Sequence, residues 1–359
     1  MSRLRPVQLP GPASRGGARG RAAEAPAPAG DGGWAAAVSE DDQLRLVARL
    51  YYLDGLGQSE VARFARVSQA KVSRLLALAR ERGIVRITVT DYEPRRRDLE
   101  EEIRARLGLA EVAVLKGGGS AEPADLRRAV GHFGAPVVDG WLAAHDVVAL
   151  AGGRTIHELV HQLPEAGARG LTVVQAMGSV DSSASIYDAQ EIGRVLVRRL
   201  GGTFLSLNTP AFIPEKRTRD ALLELGQVRN VHEHLDRARV ALVGLGTLAN
   251  SVFVERGTLD AAMCADLKRA GAVGEVCGRF FDARGHECPT TWRDRVIGVT
   301  LGQLRRIPLV IAIVSGTDRT AAIEAAVRGG LIKALVIDEA GAAALLAGAP
   351  TPSPKKAKK

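Results

Sequence analysis

His157-Glu158-Leu159-Val160-His161 sets two imidazoles one helical turn apart with a carboxylate between them. A helix can hold zinc with that spacing while the glutamate serves as base. The residues that follow, QLPEAGARG, supply no third ligand of the metzincin type, so the pair reads as one face of a sheet-covering helix. His232 and His234 read as a loop pair, again with no third ligand nearby. A second pattern, Gly244, Gly246 and Ala249 after the apolar run VALV, fits GxGxxA, and Asp266 follows about twenty residues on, where a ribose-binding acid would stand. It falls late in the chain instead of at a first strand-to-helix turn, and Glu255, Asp260 and Asp266 read as surface charges. Neither pattern makes a convincing enzyme, no pair of general acid and base stands out, and no metal or cofactor is expected.

Other residue groups point to binding. Gly152-Gly153-Arg154-Thr155 follows one apolar run and opens a helix, so that backbone N–H groups, a hydroxyl and a guanidinium meet where an anion could sit. Met177-Gly178-Ser179, Asn208, Gly244-Leu245-Gly246 and Gly316-Thr317-Asp318-Arg319 end further runs in the same way. One such loop is a tight connection; several at one sheet edge favour a polar, phosphorylated ligand. Nearer the start, Gln58 to Gly83 carries Val61, Phe64 and Ala65 at helical spacing, a break at Arg66 to Ser68, then Val72, Leu75, Leu76 and Ala79. Ser68 caps the second helix and Gly83 ends it. With the apolar set inward, Gln69, Lys71, Ser73 and Arg74 face outward, as in the reading helix of a helix-turn-helix, and Gln58 and Ser68 join them as DNA-contact candidates. From Asp41 to Arg86, nine Lys and Arg stand against five Asp and Glu, an excess suited to phosphate contacts.

These groups need elements to hold them. Asp41 to Leu53 supplies a third helix with Leu44, Val47, Ala48 and Tyr51 on one stripe, and Ile84 to Thr90 alternates like a wing or exit strand. Residues 41–91 are expected to form the DNA-binding domain, and 92–109 a helical connector whose Leu99, Ile103 and Leu107 pack on a neighbour or another subunit. Over 110–348, strands are expected at EVAVLK, DVVALAGG, LTVVQAMG, TFLSLN, RVALVGLG, RVIGVTL, PLVIAIVSG and LIKALVID, with helices between them near 126–142, from Thr155, and near 189–200, 215–225, 319–328 and 340–347. Buried runs joined by helices specify a largely parallel, Rossmann-like sheet whose ligands bind at the carboxyl ends of the strands.

The 359 residues, 46% hydrophobic, suffice for two domains, and no apolar run approaches membrane-spanning length. A soluble, cytoplasmic protein is expected, with Cys264, Cys277 and Cys288 reduced. Part of the net charge of +9 lies at the ends: residues 1–40 read as a disordered Arg/Gly/Ala/Pro-rich arm and 349–359 as a basic tail.

Taken in order, the helix-turn-helix followed by ARERGIVRITV, then GGRT, GLG, GAVGEVCGRFFDARG and RTAAIEAAVRGGLIKALVIDEAGAAALL resembles the SorC family of bacterial sugar-responsive transcriptional regulators. The resemblance implies a winged-helix-like DNA-binding domain and an α/β sugar-binding domain similar to glucosamine-6-phosphate deaminase and ribose-5-phosphate isomerase. Its implied partners are operator DNA, a sugar or sugar-phosphate effector and further copies of the chain in a dimer or tetramer. By position, Gly153, Arg154, Thr155, Gly178, Gly244, Gly246, Asp282 and Gly316 look like effector-site residues; Ser179, Asn208 and Arg319 join them as strand-end candidates. Arg319 stands where the family usually has Lys, and Arg239 where many members have Asp. If Arg239 faced the pocket it would favour a more anionic ligand.

Overall fold

The computed structural model describes residues 39–348, apart from 91, 118, 120, 121, 166, 168 and 181–184, so the arm and the basic tail lie outside the described residues except for Ser39 and Glu40. The chain divides into two compact units, the first ending at Tyr92 and the second beginning at Glu93.

In the first unit, α1 (Glu40–Ala48) opens on Ser39, whose hydroxyl accepts from the Asp42 N–H, and continues into a wider π-type turn at Arg49–Leu53. The turn replaces the last part of the single helix expected to Leu53. Two further helices, α2 (Gln58–Ala65) and α3 (Gln69–Glu81), meet at Arg66, which takes the left-handed conformation at φ 52°. Leu44, Val47, Val61, Ala65, Val72 and Leu76 are buried. Phe64 is not among them: α2 turns Val61, Ala62 and Ala65 inward, and Phe64 is 62% exposed. The small side chains let α2 lie close to α3, which leaves no room for the ring between them. Arg82 ties the end of α3 to the start of α1 through Glu40 at 2.8 Å and Asp41 at 3.2 Å. The expected wing does not form among the described residues: 84 and 85 bend and 86–90 belong to no helix or strand, without a ladder partner.

The second unit begins with α4 (Arg97–Leu107), β1 (Glu111–Leu115), α5 (Pro123–Trp141), β2 (Val147–Leu150), α6 (Arg154–Gln162), β3 (Leu171–Gln175), α7 (Ala189–Leu200) and β4 (Gly202–Leu205). It continues through α8 (Lys216–Leu223), α9 (Gly226–Asp236), β5 (Val240–Val243), α10 (Val252–Glu255), α11 (Ala261–Arg269), β6 (Gly274–Val276) and β7 (Arg279–Phe281). The last elements are α12 (Leu301–Arg306), β8 (Leu309–Ile313), α13 (Thr320–Arg328), β9 (Ala334–Asp338) and α14 (Glu339–Gly348). Seven strands form one parallel sheet in the order β1-β9-β8-β5-β2-β3-β4, and β6 pairs antiparallel with β7. The central strands are apolar on both faces because helices cover both, which is why they read as continuous runs.

Three expectations change. The helix expected as a connector, α4, belongs to the second unit: Ile103 is fully buried in its core, and the buried Glu100 accepts from Arg95 at 2.7 Å and from the Val114 N–H at 3.0 Å. RVIGVTL is not a strand. Val296, Ile297 and Val299 are buried, but the segment makes only single bridges, Phe212 to Val296 and Met177 to Gly298, before α12 begins. His232 and His234 lie on α9 and not in a loop.

Candidate functional site

The first candidate surface is the outer side of α3. Ser68 accepts from the Lys71 N–H at 3.2 Å and fixes the first turn. Burial of Val72 and Leu76 leaves Gln69, Lys71, Ser73 and Arg74 exposed along that turn and the next. Arg74 is held only by a long 3.4 Å bond from its Nε to Ala70 O, so its guanidinium is available to a partner. Gln58 is half-buried in the first turn of α2.

The second candidate is the carboxyl edge of the sheet. From β2 the chain winds towards β4; from β5 it winds the other way, through β8 to β9. Adjacent β2 and β5 therefore send their connections to opposite sides, which makes the edge between them the usual ligand position in such sheets. Gly153, at φ 133°, donates from its N–H to Tyr187 O at 2.8 Å, and its neighbour Gly152 approaches the same carbonyl so closely that a Cβ would lie 2.7 Å from it. Arg154 starts α6 and reaches across to Glu255 on α10 at 2.5 Å, with both side chains about half exposed. Thr155 is half-buried beside it.

The neighbouring loops interlock. Asn250 donates to Asp318 at 2.8 Å and accepts from the Thr247 N–H at 2.7 Å, which joins the β5 loop to the β8 loop. Arg319 donates through Nε to Leu245 O at 3.0 Å and through Nη1 to Ser315 O at 2.8 Å and to Asp318. Its fork thus ties the two loops together. Gly316, at φ 89°, donates to the buried Asp338 at 2.5 Å. Gly246 exchanges two backbone bonds of 2.9 Å with Glu275, whose carboxyl is pushed up by burial. Gly244 remains half-exposed above β5.

On the β3–β4 side, Gly178 donates to Ile297 O at 3.1 Å and Ser179 to Thr209 O at 2.9 Å. Asn208 takes φ 52° and its side-chain amide lies 2.9 Å from the Ser206 hydroxyl, while Gln190 donates to Ser206 at 3.0 Å. Fully buried Gln175 accepts from Ser206 and from the Leu207 N–H, both at 2.9 Å, and anchors this chain of polar groups. The sequence marks Glu255 only as a surface charge and does not single out Asn250, Gln190 or Ser206. Asp318 stands inside one of the strand-end loops, but nothing in the sequence indicates that Asn250 faces it.

One expected residue lies elsewhere. Asp282 sits in the turn after β7, where it accepts from the Arg284 and His286 N–H groups, both at 2.9 Å. Arg328, in the last turn of α13, bonds Ala283 O. Arg319 stands at the other end of that helix, roughly 13 Å away at 1.5 Å per residue, so the geometry separates Asp282 from the strand-end cluster. Arg239 is at the amino end of β5, 72% exposed and 3.4 Å from Asp146, away from the carboxyl edge.

The enzyme-like patterns fare differently from the loops. His157 and His161 lie with ring centres 4.1 Å apart and planes tilted by 37°, and His161 Nδ1 lies 2.9 Å from His157 O. Among the described residues no group of three or more His, Cys, Asp and Glu side chains is placed to hold a metal. After Gly244 and Gly246 comes a single 3-10 turn, Leu248–Asn250, then the four-residue α10. No long helix begins there to face a pyrophosphate.

A helix-turn-helix unit joined to a parallel α/β unit with polar loops at its switch point defines a ligand-responsive, DNA-binding regulator. The family model described as "Putative sugar-binding domain" matches residues 94–347. Similar proteins include the transcriptional regulator YjhU of Escherichia coli K12, 29% identical over 312 residues, 86% of this chain and 95% of that one. The sorbitol operon regulator of Klebsiella pneumoniae is 27% identical over 319 residues, 86% of this chain and 100% of the other. The full-length crystal structure of SorC from that organism superposes with a TM-score of 0.69 at 26% identity, covering 86% of this chain and 100% of that one. The chain belongs to the SorC family of sugar-binding transcriptional regulators. Among the described residues, no helix is long and apolar enough to cross a membrane.

Proposed function

We propose that this regulator reads its operator with α3, through Gln69, Lys71, Ser73 and Arg74, and changes operator affinity when a carbohydrate or carbohydrate phosphate fills the crevice between the β2 and β5 loops. The observation that carries this reading is that hydroxyl-binding groups, Asn250 bonded to Asp318, stand on the loops beside the switch point together with one half-exposed guanidinium at a helix start, Arg154. Amides and carboxylates both accept from sugar hydroxyls, and the α6 N-terminus adds backbone donors for an anion. Arg154 contacts the anionic group, releasing Glu255; Arg319, already bonded to two carbonyls, positions the loops instead. Gly153, Thr155, Gly178, Ser179, Gly244, Gly246 and Gly316 shape the crevice. Related regulators are named for a sorbitol operon and for deoxyribonucleosides, and both names fit a polyhydroxylated effector.

The second unit acts as a binding module, and the chain works as a homo-oligomer, because a helix-turn-helix reads paired half-sites about one helical turn apart. Linkage requires the effector to favour one oligomer geometry over the other. A thermal-shift series with free and phosphorylated sugars, polyols and nucleosides tests the reading. A specific effector at a hundred times its dissociation constant stabilises by about 2.7 kcal/mol. Stabilisation by a dinucleotide and by no carbohydrate would sink it.

A further inference from the structure

Arg86, Ile87, Thr88, Val89 and Thr90 follow α3 outside any helix or strand, with no ladder partner among the described residues. Just before them, Ile84 and Val85 still pack on Leu44, Ala48 and Ala79, and the Val85 N–H donates to Ala79 O at 3.0 Å. Past Val85 the chain leaves that core. Ile87 is 57% and Val89 80% exposed, and none of the backbone groups of residues 86–90 has a partner among the described residues. Four of these five side chains are β-branched, the type that favours a strand and packs on a pleated surface. Free ladder groups beside exposed apolar side chains make an edge that attracts another strand.

We propose that residues 86–90 pair antiparallel with the same residues of a second copy of this chain, about a two-fold axis through Thr88. A two-fold interface must be self-complementary, and this stretch is. Centred on Thr88, the register sets Thr88 against its own copy, Ile87 against Val89 and Arg86 against Thr90. Ile87 and Val89 share one face because strand side chains alternate, so four apolar side chains from the two copies meet there. Arg86, Thr88 and Thr90 line the other face, where opposed threonines are favourable and no like charges meet. A register centred on Ile87 would need Val85, whose side chain and N–H the helical core already holds. An unrelated protein edge would have no reason to match this symmetry. The ribbon would fix the separation of two α3 helices, hence the half-site spacing. Because a two-stranded ribbon is marginal by itself, it can form and open as the rest of the oligomer dictates.

The test uses the full chain without DNA, so that failure of the operator reading leaves it intact. In a Cys264→Ser background, Thr88→Cys should oxidise to a disulfide-linked dimer at least tenfold more than Ile87→Cys, Val89→Cys or the exposed control Ser59→Cys. Chains carrying Ile87→Cys and Val89→Cys should join each other when mixed. In the native chain the inward amides of residues 86–90 should exchange with deuterium at least tenfold more slowly than in Thr88→Lys, which opposes two ammonium groups. Mixing Thr88→Lys with Thr88→Glu chains should restore the protection. Cross-linking no greater at 88 than at the control, strongest cross-linking at 87, or native amides as fast as those of Thr88→Lys would overturn the proposal.

Discussion

Polar residues on α3 and at the carboxyl edge of the sheet were singled out by the same kind of reasoning, yet the two regions use them differently. On α3 the side chains of Gln69, Lys71 and Ser73 lie exposed, and Arg74 makes only one weak bond within its own helix. At the sheet edge almost every polar group is already engaged: Arg319 by two carbonyls and Asp318, Asn250 by Asp318 and Thr247, Arg154 by Glu255. A helix face that meets a rigid polyanion can remain unbonded until the partner arrives, since water solvates it. A crevice built from loops must first hold its loops. The difference teaches that substitution should separate the regions: stability suffers at the sheet edge, partner affinity on α3.

The sharpest way to break this comparison is Asp338→Ala. The carboxylate, 1% exposed, accepts from the Gly316 N–H at 2.5 Å and the Gly341 N–H at 3.0 Å. Losing both bonds and stranding one buried and one half-buried donor should cost about 3 kcal/mol of stability in urea unfolding. A cost near zero would mean that the loop holds itself. For the reading helix, Arg74→Ala should leave the unfolding midpoint unchanged and weaken operator binding by about 1 to 3 kcal/mol if the guanidinium contacts a base edge. Equal losses on operator and random DNA would make it a phosphate contact, while unchanged binding to both would remove α3 as the reader. Smaller still, Phe64→Ser should change stability by less than about 0.5 kcal/mol, since the ring is already 62% exposed. A cost above about 2 kcal/mol would restore Phe64 to the core that sequence periodicity gave it.

The smallest effect concerns pH. His232 on α9 is held below the usual imidazole range by burial and the Arg279 guanidinium, and its Nε2 is buried with no hydrogen-bond partner among the described residues. An unfolded histidine takes up its proton near pH 6.5, so the unfolded chain binds more protons below that point. Stability from this group is therefore present above about pH 6.5 and declines as pH falls towards the lowered folded value. His232→Gln should flatten the melting temperature between pH 7 and 5.5 relative to the native chain; an unchanged slope would assign it to other groups, His157 first, whose imidazole is lowered by burial and by His161.

Much of the fold was legible because its signals are periodic. The strands of the parallel sheet announced themselves as apolar runs, and α3 showed its inward and outward sides through the spacing of Val72, Leu76 and Ala79. Where the signal was composition without periodicity, the reading failed. Val296, Ile297 and Val299 are as buried as any strand, but Gly298 packs against the Ala176 carbonyl and the Met177 backbone, and the segment bridges loops instead of joining the sheet. The strand-end loops were legible as places and not as contacts. Which of Asp318, Arg319 and Asp282 faces the crevice depends on how α13 and the β6–β7 hairpin lie, and those long-range placements leave no local mark on the chain.

The central claim is that the crevice between the β2 and β5 loops holds the effector, with Arg154 as its ionic contact. Calorimetric titration of the best-stabilising carbohydrate into the native chain and into Arg154→Ala tests it most directly. Charge-assisted bonds of about 1.5 to 3 kcal/mol predict a dissociation constant raised by roughly one to two powers of ten, while loss of the half-exposed pair with Glu255 costs the free protein no more than about 1 kcal/mol of stability. An identical dissociation constant in the two proteins would contradict the account and move the effector away from this edge of the sheet.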